Sequence, residues 1–408
     1  MISPNPLSLF CAILLCFPLA LVLTISSNPS SIVVTQTLVT LSPPPPPKPI
    51  SKPTKLFPPK NPNSTIPINK ISSKQSLNRQ LSSPPPPSPS PADDKDDIKL
   101  LKQATRVNPY TVEGRTKKVA FLFLTTTPLP FAPLWELFFN QSGASTKGKY
   151  NIYIHADPTA QYNPPFSGVF SGRVIPTSKP TRRNTPTLSM AARRLLAHAL
   201  LDDPDNYMFT LLSGACIPLH SFNFTYTTLV TSNKSFVEIF SNESTRHGRW
   251  AARGDTVMLP EVSEEDFRVG SQFWSLTRRQ ARVVVEDTKL WRKFGLPCVD
   301  IHACYPEENY FPTLLSMVDP HGVVPATLTS VDWRGRHDGH PRTYKSGEVD
   351  PGLIRWLREA RPVYGIMRIN GSNLSVRDRW DPFLFARKFG PDCLEPLLSM
   401  AKDILFKD

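Results

Sequence analysis

The sequence predicts an α/β domain with a central, mainly parallel sheet flanked by helices, and three observations lead there. Apolar runs of strand character recur at residues 117–125, 150–158 and 206–219. Stretches of helical period lie between them, most clearly SMAARRLLAHALLD at 189–202. No internal repeat divides residues 113–408, which suffice for one large domain. Alternating β and α elements of this kind build a parallel sheet covered by helices, with ligand sites where strands end.

Taken in order, residues 1–6 read as a short cytoplasmic tail before the uncharged apolar stretch LSLFCAILLCFPLALVLTI (7–25). At ~1.5 Å per residue it nearly matches a ~30 Å hydrocarbon core. Cleaved signal peptides carry a shorter apolar region behind a basic start, and here no Lys or Arg precedes Lys48. The reading is an uncleaved transmembrane signal anchor, whose flanks lack the basic residues that would orient it. Residues 26–112 contain SPPPPPKP (42–49) and SSPPPPSPSP (82–91), which favour extended polyproline II without a packed core. That makes them a Pro/Ser-rich lumenal stalk. The Ser-(Pro)n runs resemble extensin-type modules that plants hydroxylate and arabinosylate.

The body, 113–408, opens with KKVAFLFLT (117–125) as a buried strand, followed by an apolar helix around 134–139. YNIYIHADP (150–158) is a second strand ending in a polar loop, and RVIP (173–176) a short third. Ser189 is the expected N-cap of the 189–202 helix. NYMFTLLSGACIPL (206–219) is another strand running into a loop.

Compartment follows from sequons and cysteines. Asn-x-Ser/Thr sites stand at Asn63, Asn140, Asn223, Asn233, Asn242, Asn370 and Asn373, as suits a lumenal glycoprotein. Of the six cysteines, Cys11 and Cys16 lie in the anchor, leaving Cys216, Cys298, Cys304 and Cys393 as an even set without metal or redox spacing. Disulfides are the plain reading, in any of their possible connectivities. The net charge of +13 would suit nucleic acid, but a lumenal body excludes it, leaving an anionic small molecule or acidic glycan as partner.

The pieces VAFLFLTTTPLPFAPLWELFF, YIHADP, LSMAARRLLAHALLDD, FTLLSGACIPL, GSQFWSLTRRQARVVVEDT, CYPEENYFPTLL, TSVDWRGRHDGHP and LFARKFGPDCLEPLL run in one order from about residue 119 to 398. In this ordered set the chain resembles the plant branch of the core-2/I-branching β-1,6-N-acetylglucosaminyltransferase family, glycosyltransferase family 14. The resemblance implies a single-pass type II Golgi membrane protein with a GT-A-like fold, inverting and needing no divalent metal or other cofactor. Its partners would be a nucleotide sugar and a glycoprotein or polysaccharide acceptor. The chain departs from the family pattern at Thr185-Pro186, where Trp-Gly is usual, and at Gly214, where Glu is usual.

Inverting transfer needs one carboxylate to take the acceptor proton and a cation to steady the leaving diphosphate. Glu307 and Glu308 follow a Pro and precede an apolar run, where carboxylates also suit a helix N-terminus. The resemblance makes Glu308 the catalytic base. By family position Asp157 would touch the donor nucleoside, although an Asp before Pro also builds loops. Lys388 matches the family's diphosphate-binding lysine. Arg387 beside it is weaker, since adjacent helical residues point ~100° apart, and Arg377 or Arg379 could add a second cation.

Asp203 and Asp205 have Asp-x-Asp spacing but read as a solvated turn between helix and strand. For the acceptor, Trp333, Trp274, Gly270, Ser271 and Arg249 offer aromatic faces and polar groups, although Trp274 reads equally as a core tryptophan. His337, Asp338 and His340 lack a metal-ligand spacing, so no metal is expected. The leading reading is transfer of N-acetylglucosamine from a UDP-sugar. A glucuronosyltransferase acting on arabinogalactan is the enzyme alternative, and an inactive lumenal glycan-binding or scaffold protein is the alternative of another class.

Overall fold

The computed structural model describes residues 91–141, 146–334, 339–365, 367–369, 372–374 and 379–408. The chain divides into units 1–83 and 84–408, and every described residue lies in the second. The anchor at 7–25, Asn63, Asn370, Arg377, His337, Asp338 and the Asn373 side chain fall outside the description. Among the described residues no helix is long and apolar enough to cross a membrane.

The first element lies within the span read as stalk. Helix α1 (Pro91–Ala104) packs on the body through buried Leu100 and Ala104, so the folded unit begins before residue 113. Composition hid it, because its first half is polar and follows the proline run directly. After it come β1 (Lys118–Thr125), α2 (Ala132–Asn140), β2 (Tyr150–Ala156), α3 (Thr187–Asp202), β3 (Asn206–Ser213), β4 (Ile217–Pro218), α4 (Phe222–Thr231) and β5 (Ser235–Phe236). The chain continues through α5 (Arg246–Ala251), β6 (Ser275–Thr277), α6 (Arg278–Glu286), α7 (Pro306–Val318), β7 (Val323–Val324), β8 (Thr329–Val331), α8 (Pro351–Glu359), β9 (Met367–Ile369), β10 (Ser372–Leu374) and β11 (Phe385–Arg387).

A six-stranded sheet in the order β2-β1-β3-β6-β5-β7 forms the centre. β1 runs parallel to β2 and β3, and β5 parallel to β7, while β6 is antiparallel to both its neighbours. The protein is thus a mixed α/β fold with a mostly parallel sheet. A strand buried on both faces must be apolar at every position, and β1 is such a strand. Val119, Phe121 and Phe123 point into one core with α2 and α4, whereas Ala120, Leu122 and Leu124 point into another with α1, α3, α6 and α7. The side-chain period of two splits one sequence run between two cores.

A smaller sheet, β4-β11-β8, pairs β11 antiparallel to β4 and parallel to β8. The centre of LFARKF, Phe385–Arg387, is therefore a strand, and the helical geometry that set Arg387 apart from Lys388 does not apply. RVIP gives only an isolated bridge, Val174 to Ile154. The helix after it starts at Thr187 with Pro186 at the N-cap, which leaves Ser189 buried inside the first turn. Of the four body cysteines, Cys298 and Cys304 form a disulfide, while Cys216 and Cys393 are buried free thiols.

Candidate active site

Where β1, the segment after β5, the N-terminus of α7 and the end of β11 converge, they enclose a cavity of about 660 Å³. Thr126 follows the C-terminal end of β1, the edge of a parallel sheet where loops diverge and ligands bind. The charged lining comprises Glu238, Glu307 and Glu308 with Arg183, Arg387 and Lys388.

Local structure fixes the carboxylates. Pro306 occupies the first turn of α7, where its missing N–H costs nothing, and Glu307 and Glu308 follow in the same turn near the positive end of the helix dipole. Glu308 Oε2 accepts from Arg249 Nη1 at 2.7 Å. Arg249, on α5, also lies 4.5 Å above the Tyr305 ring. The Gly270 N–H donates to the Glu308 carbonyl at 2.9 Å. A Cβ at Gly270 would stand 1.9 Å from the Glu238 carbonyl oxygen, so glycine here lets two backbones carrying cavity carboxylates meet.

Glu307 is 4% exposed, and its Oε2 has no hydrogen-bond partner among the described residues. Burial pushes its carboxyl up to about 8, helped by the neighbouring Glu308 charge and opposed by a backbone hydrogen bond, Arg183 and Arg249. Burial, then the charge on Glu308, raises Glu238 to about 7.

The cations form a second group. Arg387 lies 4.4 Å over the Phe273 ring, and burial lowers its proton affinity. Lys388 is lowered by burial and by the charges of Arg387 and Arg183. Arg183 Nη1 meets the His340 ring at 2.7 Å, and Nη2 donates to the Gly339 carbonyl at 2.7 Å. Three positive groups on one cavity wall can receive a polyanion.

Several sequence-predicted residues converge here: Glu308, Arg387, Lys388, Gly270, Ser271 and Trp333 line the cavity, and Arg249 reaches it through Glu308. Others do not. Trp274 is 2% exposed and packs on Phe311 in the second core, so it presents no face to a sugar. Arg379 lines a separate groove and pairs with Asp381 at 2.7 Å.

Asp157 sits beneath the cavity wall. Its Oδ1 accepts from the Thr159 N–H and hydroxyl, and its Oδ2 from those of Thr181. These bonds outweigh burial and lower its proton affinity. Thr181, rather than Asp157, lines the cavity. Thr185 and Gly214 also lie off the lining: Thr185 bonds Thr187 and the Arg182 carbonyl, and Gly214 abuts Thr125.

Asp203 and Asp205 are at the opposite end of the sheet, in ion pairs with Lys118 (2.7 Å) and Arg115 (2.8 Å). The length of β1, at ~3.3 Å per residue, puts them on the order of 20 Å from the cavity edge. Sequence reasoning missed Glu238 and Arg183. A lone Glu inside the apolar run FVEIF and a basic pair in the polar segment TRRN were the available signals.

Comparison with known proteins agrees with this geometry. Residues 119–358 match the Core-2/I-Branching enzyme family, a span that holds Glu308 and ends before Arg387 and Lys388. The chain is also 31% identical over 306 residues to glycosyltransferase BC10 of Oryza sativa subsp. japonica, covering 67% of this chain and 73% of that protein. With the family motifs converging on one charged cavity, the chain is a glycosyltransferase of the Core-2/I-branching enzyme family.

Proposed function

We propose that the cavity is the transfer site of an inverting, metal-independent enzyme with a GT-A-like fold, moving N-acetylglucosamine from a UDP-sugar to a glycan hydroxyl in the Golgi lumen. One observation carries this reading: Glu308, held by Arg249, stands in the same cavity as Arg183, Arg387 and Lys388. Glu308 takes the proton of the acceptor hydroxyl as its oxygen attacks the anomeric carbon. The bond from that carbon to the diphosphate breaks, and the configuration inverts. Arg387 and Lys388 meet the negative charge growing on the diphosphate, the work that a metal ion does elsewhere. The Asp-x-Asp pair, ion-paired at the far end of the sheet, is consistent with cations taking that work. Trp333, 53% exposed at the lining, offers a face for the acceptor sugar.

Arg183 favours a second reading, glucuronate transfer to arabinogalactan, because a third cation can receive a carboxylate on the donor sugar. A panel of UDP-sugars, assayed for binding and acceptor-dependent transfer with excess EDTA, tests both. Transfer from UDP-N-acetylglucosamine that survives EDTA is expected. Preference for UDP-glucuronate supports the second reading, and activity that returns only with Mn²⁺ rejects metal independence. Binding of no UDP-sugar leaves the glycan-binding scaffold.

A further inference from the structure

We infer that Asp97, on α1 and outside the matched family residues, is a positioning residue for the cavity wall that carries Thr181 and Arg183. The inference rests on the reading that this cavity receives the UDP donor. Asp97 is 5% exposed, unusual for a carboxylate on a helix that docks through Leu100 and Ala104. Its Oδ1 accepts from Arg194 Nε at 2.7 Å and its Oδ2 from Arg194 Nη2 at 2.6 Å. Lys179 Nζ adds a third ionic contact at 3.2 Å.

Lys179 begins a short path to the cavity. Its backbone N–H donates to Nε2 of His155, the next-to-last residue of β2, at 3.2 Å. Two residues on, the Thr181 N–H and hydroxyl are held by Asp157 at 2.7 and 2.8 Å. Thr181 and Arg183 then line the cavity. The segment is tied at three points, to α1 by Asp97 and to β2 and its following loop by His155 and Asp157. A buried ion group is weak evidence for net stability, because desolvation offsets attraction. What it fixes is geometry: where the 178–183 segment lies relative to α1 and α3.

The test uses the full-length chain with Asp97→Asn, Lys179→Met and, as a packing control on the same helix, Leu100→Ala. UDP affinity, donor KM and kcat are measured, together with amide hydrogen exchange across 178–183. Asp97→Asn and Lys179→Met are expected to weaken UDP binding and raise donor KM by about 2- to 30-fold, with kcat nearly unchanged and faster exchange at Thr181. Leu100→Ala is expected to lower Tm while leaving UDP affinity alone. Unchanged UDP affinity in both charge variants, or an equal loss in Leu100→Ala, overturns the inference. If Asp97→Asn does not fold, Lys179→Met decides, since it leaves the Asp97–Arg194 pair intact. If the wild type itself binds no UDP, the donor reading falls, and exchange across 178–183 alone then decides the positioning role.

Discussion

Glu307 and Glu308 follow one another in the first turn of α7, yet the first is buried with its Oε2 unpartnered among the described residues and the second is held by Arg249. For Glu307 the folded state raises proton affinity from 4.5 to about 8. Its contribution to stability is therefore full below about 4.5 and is lost as pH rises through about 8. Glu307→Gln, which needs no proton to stay neutral, should be more thermally stable than wild type at pH 8, with the difference shrinking toward pH 5. Equal differences at the two pH values would show that Glu307 ionises freely. Glu308→Gln tests the neighbour: the amide cannot accept a proton, so UDP binding should persist while transfer falls by about 10² to 10⁴. Lys388→Ala should weaken UDP binding as well as turnover, because the diphosphate meets that charge before and during bond breaking. Near-normal transfer by Glu308→Gln removes it from the mechanism.

Gly270 links elements more tightly than any side chain could. It precedes β6, contacts the Glu238 backbone after β5 and bonds the Glu308 carbonyl at the start of α7. Gly270→Ala should cost about 1 to 3 kcal/mol, as overpacking does, and should depress transfer because both carboxylates shift. Urea denaturation alongside activity reads both effects, and a fully stable, active variant would mean the backbones separate at little cost. Elements with a strong apolar pattern were legible in sequence: β1, buried on both faces, differs from its expected span by one residue, and α2 encloses the apolar helix read at 134–139. Elements defined by partners were not. RVIP pairs at one residue, and Phe385–Arg387 is a strand because β4 and β8 flank it, neither of which its own sequence announces. The site was legible to a similar degree. Glu308 and Lys388 came through the family motifs, whereas Glu238 was masked by its apolar neighbours and Arg183 needed the fold to bring its segment to the cavity.

At the scale of the molecule, Asn140, Asn223, Asn233 and Asn242 are all exposed, as glycan addition requires. Glycosidase treatment of the protein expressed in plant cells should lower its apparent mass, and protease added outside intact microsomes should leave residues 91–408 whole. Occupancy of no sequon together with external cleavage of the body would reject a lumenal orientation. The Cys298–Cys304 disulfide, six residues apart in sequence, closes a loop that ends one residue before Tyr305, the ring beneath Arg249. A ring so small is worth only about 2 kcal/mol by chain entropy, too little to decide whether the body folds. Its leverage is local, since the loop delivers the chain into the turn that bears Glu308. The choice of production host therefore bears on what an assay reports. Protein made in a reducing bacterial cytosol would carry two thiols there, and the turn that bears Glu308 would lose this tie. A weak preparation of that kind would describe its host rather than the enzyme.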